Sequence, residues 1–234
     1  MNQDLLAVTC ATVVGILGTG LGGLAGCFGG GKKWVLPAVL GFTAGLMASV
    51  ACFELVPQAY DLGGMWVALL STAAGIFVVW GLSAVLPGGE SLEHTGLLVL
   101  VAIALHNLPE GLAIGSGWAA VPSLGIKLAL IIGLHDFPEG MAVTAPMAAV
   151  GRKPLRQVLL ALLTGVPTGF GALLGVCLGG ISQQWVAGCI GFAGGAMLYV
   201  TAGEMVPRLH DAGGRGAVLW QMLGCLAGAL VSWL

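Results

Sequence analysis

The sequence predicts an all-α integral membrane protein with eight transmembrane helices, on the strength of its composition, its long apolar runs and an internal repeat. Hydrophobic residues make up 58% of the 234 residues and charged residues only 8%, with a mean hydropathy of +1.01. A water-soluble domain carries about 25% charged residues. This chain therefore lacks the polar surface that such a domain needs.

Breaks at polar or Gly/Pro clusters divide the chain into eight apolar runs, each close to the roughly 20 residues that a spanning helix needs. Because the connections are short, we expect one transmembrane domain over 1–234 and no attached soluble domain. The residues before the first run include Asp4 but no basic residue, which is unlike a signal peptide. We therefore expect the first run to be retained rather than cleaved. The runs cover 5–28, 35–57, 64–86, 96–119, 124–148, 157–181, 185–207 and 216–234.

The basic residues predict the orientation of these helices. If the N-terminus lies outside, seven of the eight Lys and Arg fall in inner loops, and only Lys127 lies outside. Inner loops of membrane proteins carry an excess of Lys and Arg. We therefore predict a multi-pass protein of the cell's inner (plasma) membrane with both termini outside or periplasmic. The seven are Lys32, Lys33, Arg152, Lys153, Arg156, Arg208 and Arg215.

An internal repeat relates spans one to three with spans six to eight. Between 41–64 and 191–214, eleven of 24 positions are identical, Glu54 and Glu204 among them. The repeats are five helices apart, an odd number, so equivalent helices cross in opposite directions, as in many secondary transporters. We predict a 3+2+3 arrangement with repeat one at 1–90, a central helix pair at 94–150 and repeat two at 155–234. Glycines in spans one and six align as Gly18, Gly22, Gly26 with Gly171, Gly175, Gly179.

The central helix pair carries one polar motif twice, "HNLPEG" from His106 and "HDFPEG" from His135. The His and the Glu of each copy are four residues apart, which places both on one face of a helix. Two antiparallel helices bring these faces together, and Asn107 and Asp136 add oxygen ligands. Such a set of nitrogen and oxygen donors suits Zn²⁺ and other divalent first-row metals.

Five acidic residues lie within predicted spans, and no Lys or Arg lies mid-span to neutralise them. Each charge at a helix centre costs about 2.5–3.5 kcal/mol, so protonation, water or a bound cation must compensate. A polar contact between helices without metal is the alternative interpretation. Pro109 and Pro138 should kink their helices and free backbone carbonyls. The acids are Glu54, Glu110, Asp136, Glu139 and Glu204.

Four further residues have two interpretations each. Met47 is either packing filler or a soft metal ligand. Asp61, His210 and Asp211 are either solvated polar residues just past helix ends or stations where ions wait at entry and exit. Six scattered cysteines without C-x-x-C spacing are expected to be buried free thiols.

These motifs, with "GFTAGLM" on the second span and "GGAMLYVTAGEMVP" on the seventh, resemble the ZIP (Zrt- and Irt-like protein) metal transporters, most closely their short bacterial branch. The resemblance implies a binuclear metal centre in the middle of the transport path, with Glu139 bridging the two ions. The ligands that it implies are His106, Asn107 and Glu110 on span four, His135, Asp136 and Glu139 on span five, Glu204 on span seven and Met47 on span two.

The chain departs from the family pattern at three places. Asp136 stands where Asn is common, which adds a charge and bears on metal preference. Pro207-Arg208 replaces a Pro-Glu pattern, so the inner exit is less acidic. The inner loop, His-rich in many relatives, keeps only Glu90, Glu93 and His94.

The sequence therefore predicts a transporter rather than an enzyme, one that imports divalent metal, chiefly Zn²⁺, by alternating access. Fe²⁺, Mn²⁺, Co²⁺ and Cd²⁺ suit the same ligands. A metal channel is one alternative, and an intramembrane metalloenzyme is another. Metalloproteases of that kind carry H-E-x-x-H, with the Glu next to the first His, whereas here it lies four residues away. The expected partners are metal ions and the lipid bilayer, with no nucleic acid. The sequence leaves open whether the protein forms a homodimer.

Overall fold

A computed structural model of the chain describes residues 3–29, 34–85, 91–177 and 183–232, which are almost entirely helical. This part contains nine α-helices, and π-helical segments at Ala51–Leu55 and Val200–Met205 join α2 to α3 and α8 to α9. The helices are α1 (Gln3–Gly29), α2 (Val35–Val50), α3 (Val56–Val85), α4 (Leu92–Ala120), α5 (Pro122–Ala149), α6 (Pro154–Thr164), α7 (Val166–Cys177), α8 (Gln183–Tyr199) and α9 (Val206–Val231).

The predicted all-helical membrane class is confirmed, whereas the count of eight spans stays a prediction. Five helical stretches within the described residues are long and apolar enough to cross a membrane. α5 is long enough, with 28 residues, but its His135, Asp136 and Glu139 make it less apolar. Within the last predicted span, the described residues of α9 include a shorter apolar stretch, Gly216–Leu230. The five stretches are Gln3–Phe28, Val35–Val85, Leu92–Ala119, Pro154–Cys177 and Gln183–Leu209.

Two connections predicted between spans, 58–63 and 208–215, are helical in the structure. Each follows a proline, Pro57 or Pro207, that lies two residues after the end of a π-helical segment. A π-helical turn changes the backbone hydrogen-bond register, so the missing proline N–H need not end the helix. The stretch from 35 to 85 is broken instead at Gly64, whose φ of 77° and ψ of 175° favour glycine.

The helices pack as two groups. The site group contains α1, α4, α5, α6 and α7, where α1 packs mainly on α5 and α4 on α7. The flanking group contains α2, α3, α8 and α9, where α2 packs mainly on α9 and α3 on α8. Contacts between the groups are less extensive, and α4 with α8 and α2 with α5 make most of them. Apolar side chains of both groups form the main core.

Equivalent contacts occur in both halves of the flanking group. A Cβ added to Gly75 of α3 would lie 2.1 Å from the Phe192 carbonyl oxygen of α8. A Cβ added to Gly224 of α9 would lie 2.0 Å from the Phe42 carbonyl oxygen of α2. Phe42 and Phe192 are repeat-related, 150 positions apart. Only glycine allows this approach, so the repeat is visible in the packing as well as in the sequence.

The site group repeats its contacts in the same way, but in a register that differs from the sequence alignment. A Cβ on Gly22 would lie 1.9 Å from the Phe137 carbonyl oxygen, and one on Gly171 would lie 2.0 Å from that of Leu108. Phe137 and Leu108 occupy the same place in the two motifs. Gly22 therefore corresponds to Gly171, so the predicted alignment of Gly18 with Gly171 is wrong by one helical turn. Regular glycine spacing alone does not fix the register. Gly179 lies outside the described residues.

Candidate metal site

The two motifs meet through two hydrogen bonds between imidazole and carboxylate groups. His106 Nε2 lies 3.0 Å from Glu139 Oε2, and His135 Nε2 lies 3.0 Å from Glu110 Oε1. Each bond joins the His of one motif with the Glu of the other. Antiparallel α4 and α5 thus bring both polar faces to one place, and each buried carboxylate has a potentially cationic partner.

Glu110, His135 and Asp136 form a buried triad that could hold a metal ion. One ligand atom from each lies within 4.8 Å of the others. Zinc binds nitrogen and oxygen ligands at about 2.0–2.2 Å, so two of its ligands lie at most about 4.4 Å apart. Small side-chain adjustments therefore suffice to close the triad on one ion. Glu139 is not part of this triad.

Several buried polar atoms of the motifs find no hydrogen-bond partner among the described residues. Buried polar groups are normally satisfied, so such a concentration of unpaired nitrogen and oxygen atoms fits a cation as cargo. Asn107 donates from Nδ2 to the Thr164 carbonyl oxygen at 2.7 Å, which fixes the orientation of its amide. The unpaired atoms are His106 Nδ1, Asn107 Oδ1, Glu110 Oε2, His135 Nδ1, Asp136 Oδ1 and Oδ2, and Glu139 Oε1.

The glycine that ends each motif allows the site helices to pack closely. A Cβ on Gly111 would lie 1.9 Å from the Thr168 carbonyl oxygen, and one on Gly140 would lie 2.0 Å from that of Thr19. α4 therefore lies directly against α7, and α5 against α1. Both α4 and α5 continue as helices through the motif prolines. The predicted kinks at these prolines stay predictions.

A cavity of about 330 Å³ reaches one of the two imidazole–carboxylate pairs. Glu110 and His135 line it, and Glu54 of the first π-helical segment lines it as well. Its wall also includes Ser116 near the end of α4 and Leu124 near the start of α5, so it extends towards the α4–α5 turn.

The other pair is buried away from this cavity. His106 and Glu139 are both 0% exposed, and neither lines the cavity. Asn107 and Asp136 are likewise 0% exposed. The cavity therefore ends at the first pair, and the second lies beyond it in the packed interior.

The remaining predicted site residues are more dispersed. Met47 is fully buried within the main apolar core. Glu204 is half-buried on the second π-helical segment, and Asp61 is exposed on α3. The side chains of His210 and Asp211 lie outside the described part of the chain.

Gln58 and Ser116 line the cavity and were not predicted as site residues. Gln58 lies one helical turn after Glu54, a spacing that could have marked it as a second polar residue of the same face. Ser116 stands alone in an apolar run and carries no comparable signal.

A family model described as ZIP Zinc transporter matches residues 89–234, which include both motifs and the whole second repeat. The match covers more than half of the chain.

Similar curated proteins are bacterial. "Zinc transporter GufA" of Myxococcus xanthus is 45% identical over 126 residues, which are 53% of this chain but only 50% of that protein. "Zinc transporter ZupT" of Chlorobium phaeovibrioides (strain DSM 265 / 1930) is 32% identical over an alignment 244 positions long, gaps included, which covers 90% of this chain and 91% of that protein. The ZupT of Corynebacterium glutamicum is 29% identical over an alignment 251 positions long, which covers 93% of this chain and 94% of that protein.

Proposed function

Since this chain belongs to the ZIP zinc transporter family, we propose that it transports divalent metal, chiefly zinc, across a membrane. The observation that carries the proposal is the buried triad of Glu110, His135 and Asp136, of which Glu110 and His135 line a cavity within an apolar helix bundle. An intramembrane carboxylate is expensive, and it marks an ion pathway when a cavity reaches it. Family membership also removes the metalloenzyme alternative, because this family consists of transporters.

We further propose that the site binds two ions, with Glu139 between them. The triad supplies ligands for the first ion. His106 and Glu139 with the amide oxygen of Asn107 supply nitrogen and oxygen donors for the second, and each has an unpaired atom. Glu204, Glu54 and Met47 are proposed as additional ligands along the path, and Asp61, His210 and Asp211 as positions at its ends.

Alternating access is the proposed transport mechanism, with an outward-open and an inward-open state of one inverted repeat. The repeated glycine contacts support an inverted repeat around the central helix pair, and with it the eight spans. The site group has less extensive contacts with the flanking group than within itself, which supports movement of one group against the other. A cavity that reaches only one imidazole–carboxylate pair favours this carrier over a continuous channel.

Import with both termini outside is the proposed direction and orientation. Arg152 and Arg208 both contact residues in the first turns of α4, whereas Lys127 lies near the start of α5, at the other end of the central pair. The excess of basic residues at one end supports a cytoplasmic location for that end. The cavity then faces outward.

A homodimer in the inner membrane is part of the proposal, and the molar mass of the protein in detergent tests it.

Zinc flux into liposomes with reconstituted protein tests the proposed function. We expect uptake of Zn²⁺ that saturates with concentration and that Glu110→Gln lowers at least about tenfold, because a ligand is lost. Glu93→Gln is the matched control, since it removes an acid of the same helix outside the motifs. Uptake by the wild type no faster than by empty liposomes contradicts the proposal.

The same liposomes separate carrier from channel. A carrier exchanges external isotopic zinc for internal unlabelled zinc faster than it performs net uptake. Uptake that rises linearly with zinc concentration and shows no such counter-flow favours the channel. Competition by Fe²⁺, Mn²⁺, Co²⁺ and Cd²⁺ in this assay gives the metal preference.

A further inference from the structure

Two described hydrogen bonds cross between the site group and the flanking group. Arg208 of α9 donates from Nε to the Thr95 hydroxyl oxygen of α4 at 3.2 Å. Thr43 of α2 donates its hydroxyl to the Pro138 carbonyl oxygen of α5 at 3.0 Å. Thr95 is 0% exposed and Thr43 is 1% exposed, so one partner of each bond is buried, whereas each bond as a whole is part-buried. They connect the two groups at the half of the molecule that the cavity does not reach.

The repeat gives each of these four residues a counterpart in the other half. Gln58 and Ala193 correspond to Arg208 and Thr43, at a separation of 150 positions. Leu124 and Pro109 correspond to Thr95 and Pro138, at a separation of 29 positions. All four counterparts line the open cavity: Gln58, Ala193, Leu124 and Pro109.

The counterparts cannot form the same two bonds. Leu124 has no acceptor in its side chain where Thr95 has a hydroxyl, and Ala193 has no donor where Thr43 has one. The hydrogen-bonding side chains thus occur in one repeat only. Where they are present, they bond the two groups to each other. A second cavity of about 460 Å³ lies beside Thr43 and Pro138, but it has a mainly apolar lining and does not reach His106 or Glu139. Where they are absent, the cavity that reaches Glu110 and His135 separates the groups.

We propose that the Arg208–Thr95 and Thr43–Pro138 bonds form a latch that holds the cytoplasmic half closed and biases the resting protein towards its outward-open state. The inference rests on the proposed alternating access. Two identical repeats would give both states equal free energy, and any bias requires an interaction made in one state only. Each bond is made in the closed, cytoplasmic half. Opening of that half would break both bonds, so the bonds stabilise the outward-open state relative to the inward-open one. The latch is therefore an asymmetry between two otherwise similar repeats.

The experiment copies residues of the open half into the closed half. Arg208→Gln and Thr43→Ala place there the residues found at positions 58 and 193. The readout is the rate at which a thiol reagent labels Val99→Cys, which is 0% exposed, and its counterpart Leu128→Cys, which lines the cavity. Both cysteines are introduced into a cysteine-free protein in nanodiscs, where both faces of the membrane are accessible.

We expect the double substitution to raise labelling at 99 at least about tenfold and to lower it at 128, because the two hydrogen bonds between the groups no longer oppose opening. Thr95→Val should act in the same direction, whereas Thr95→Ser, which keeps the hydroxyl, should not. These smaller changes keep the test valid if Arg208→Gln fails to fold. Unchanged labelling at 99 in a folded double variant and in Thr95→Val overturns the latch.

Arg152→Gln is the control for a general effect of charge. Arg152 pairs with Glu93, and this ion pair lies within the site group, between the start of α4 and the segment after α5. Arg152→Gln should therefore leave labelling at 99 unchanged. If Arg152→Gln raises labelling as much as Arg208→Gln does, the latch is wrong. Failure of the proposed function is separate, because it appears as wild-type protein that moves no zinc, whatever the labelling rates.

Discussion

The two imidazole–carboxylate pairs of the site are equivalent in sequence and different in the structure. His135–Glu110 and His106–Glu139 have the same distance of 3.0 Å and come from the same motif. The side chains of the first pair are 5% and 6% exposed and line a cavity, whereas those of the second are both 0% exposed. The difference lies in their surroundings rather than in the pairs themselves.

This comparison connects site chemistry with transport. A symmetric site that is reached from one side only is what one state of an alternating-access carrier requires, because the other state reverses the exposure. The residues around the buried pair support this interpretation. Val99, Ala102 and Ile103 are 0% exposed, whereas their counterparts Leu128, Ile131 and Ile132 line the cavity.

The largest expected effect comes from removing one imidazole of either pair. His135→Ala and His106→Ala should each lower zinc uptake into liposomes at least about tenfold, because cargo must pass both pairs and each substitution removes a ligand. His94→Ala, on the same helix outside the motifs, is the control. If His106→Ala retains wild-type uptake, the buried pair does not lie on the transport path.

The second prediction concerns the carboxylate, Glu139, that the two proposed ions share. If Glu139 bridges two ions, wild-type protein should hold two zinc ions per chain and Glu139→Gln should hold none, measured by elemental analysis after desalting. One carboxylate oxygen of Glu139, Oε2, is hydrogen-bonded with His106, and the other, Oε1, has no partner among the described residues. Glu139 therefore has two oxygen atoms with which to bridge two ions. Retention of one ion by Glu139→Gln contradicts the bridge.

The smallest expected effects come from the glycines that hold the motifs in place. Gly111→Ala and Gly140→Ala should destabilise the protein by similar amounts, about 1–3 kcal/mol each, because each added methyl group meets a backbone oxygen. Thermal unfolding in detergent measures the change. Gly81→Ala is the control, since a Cβ there would meet nothing within 4 Å. A much larger effect at one motif than at the other would weaken the structural equivalence of the pairs.

The sequence predicts the chemistry of the site better than its accessibility. Spacing of four residues places His106 and Glu110 on one helix face, and the antiparallel partner helix brings His135 and Glu139 to the same place. Periodicity thus predicts which residues converge. Whether a cavity reaches a residue depends on how the site group packs against the flanking group. The sequence near Glu110 contains no pattern that predicts this packing.

Connections between the predicted spans show a second limit. The residues at 58–63 and 208–215 are polar and follow prolines, which usually mark loops. In the structure a π-helical segment precedes each proline, and the helix continues. A π-helical turn has no sequence pattern comparable to proline or glycine, so polarity and proline together predicted loops where helix is present.

The asymmetric exposure of the two pairs is tested most directly by labelling counterparts on either side of the site. Ile131→Cys lies in the cavity wall, and Ala102→Cys is its buried counterpart. In a cysteine-free protein, labelling should be fast at 131 and slow at 102. A cross-link between Gln58→Cys and Leu124→Cys closes the cavity mouth, and it is formed while the test cysteine is reversibly blocked. Once the test cysteine is freed, the cross-link should reverse this order. If position 102 stays protected when the mouth is closed, or both positions react equally in every state, the alternating-access account is wrong.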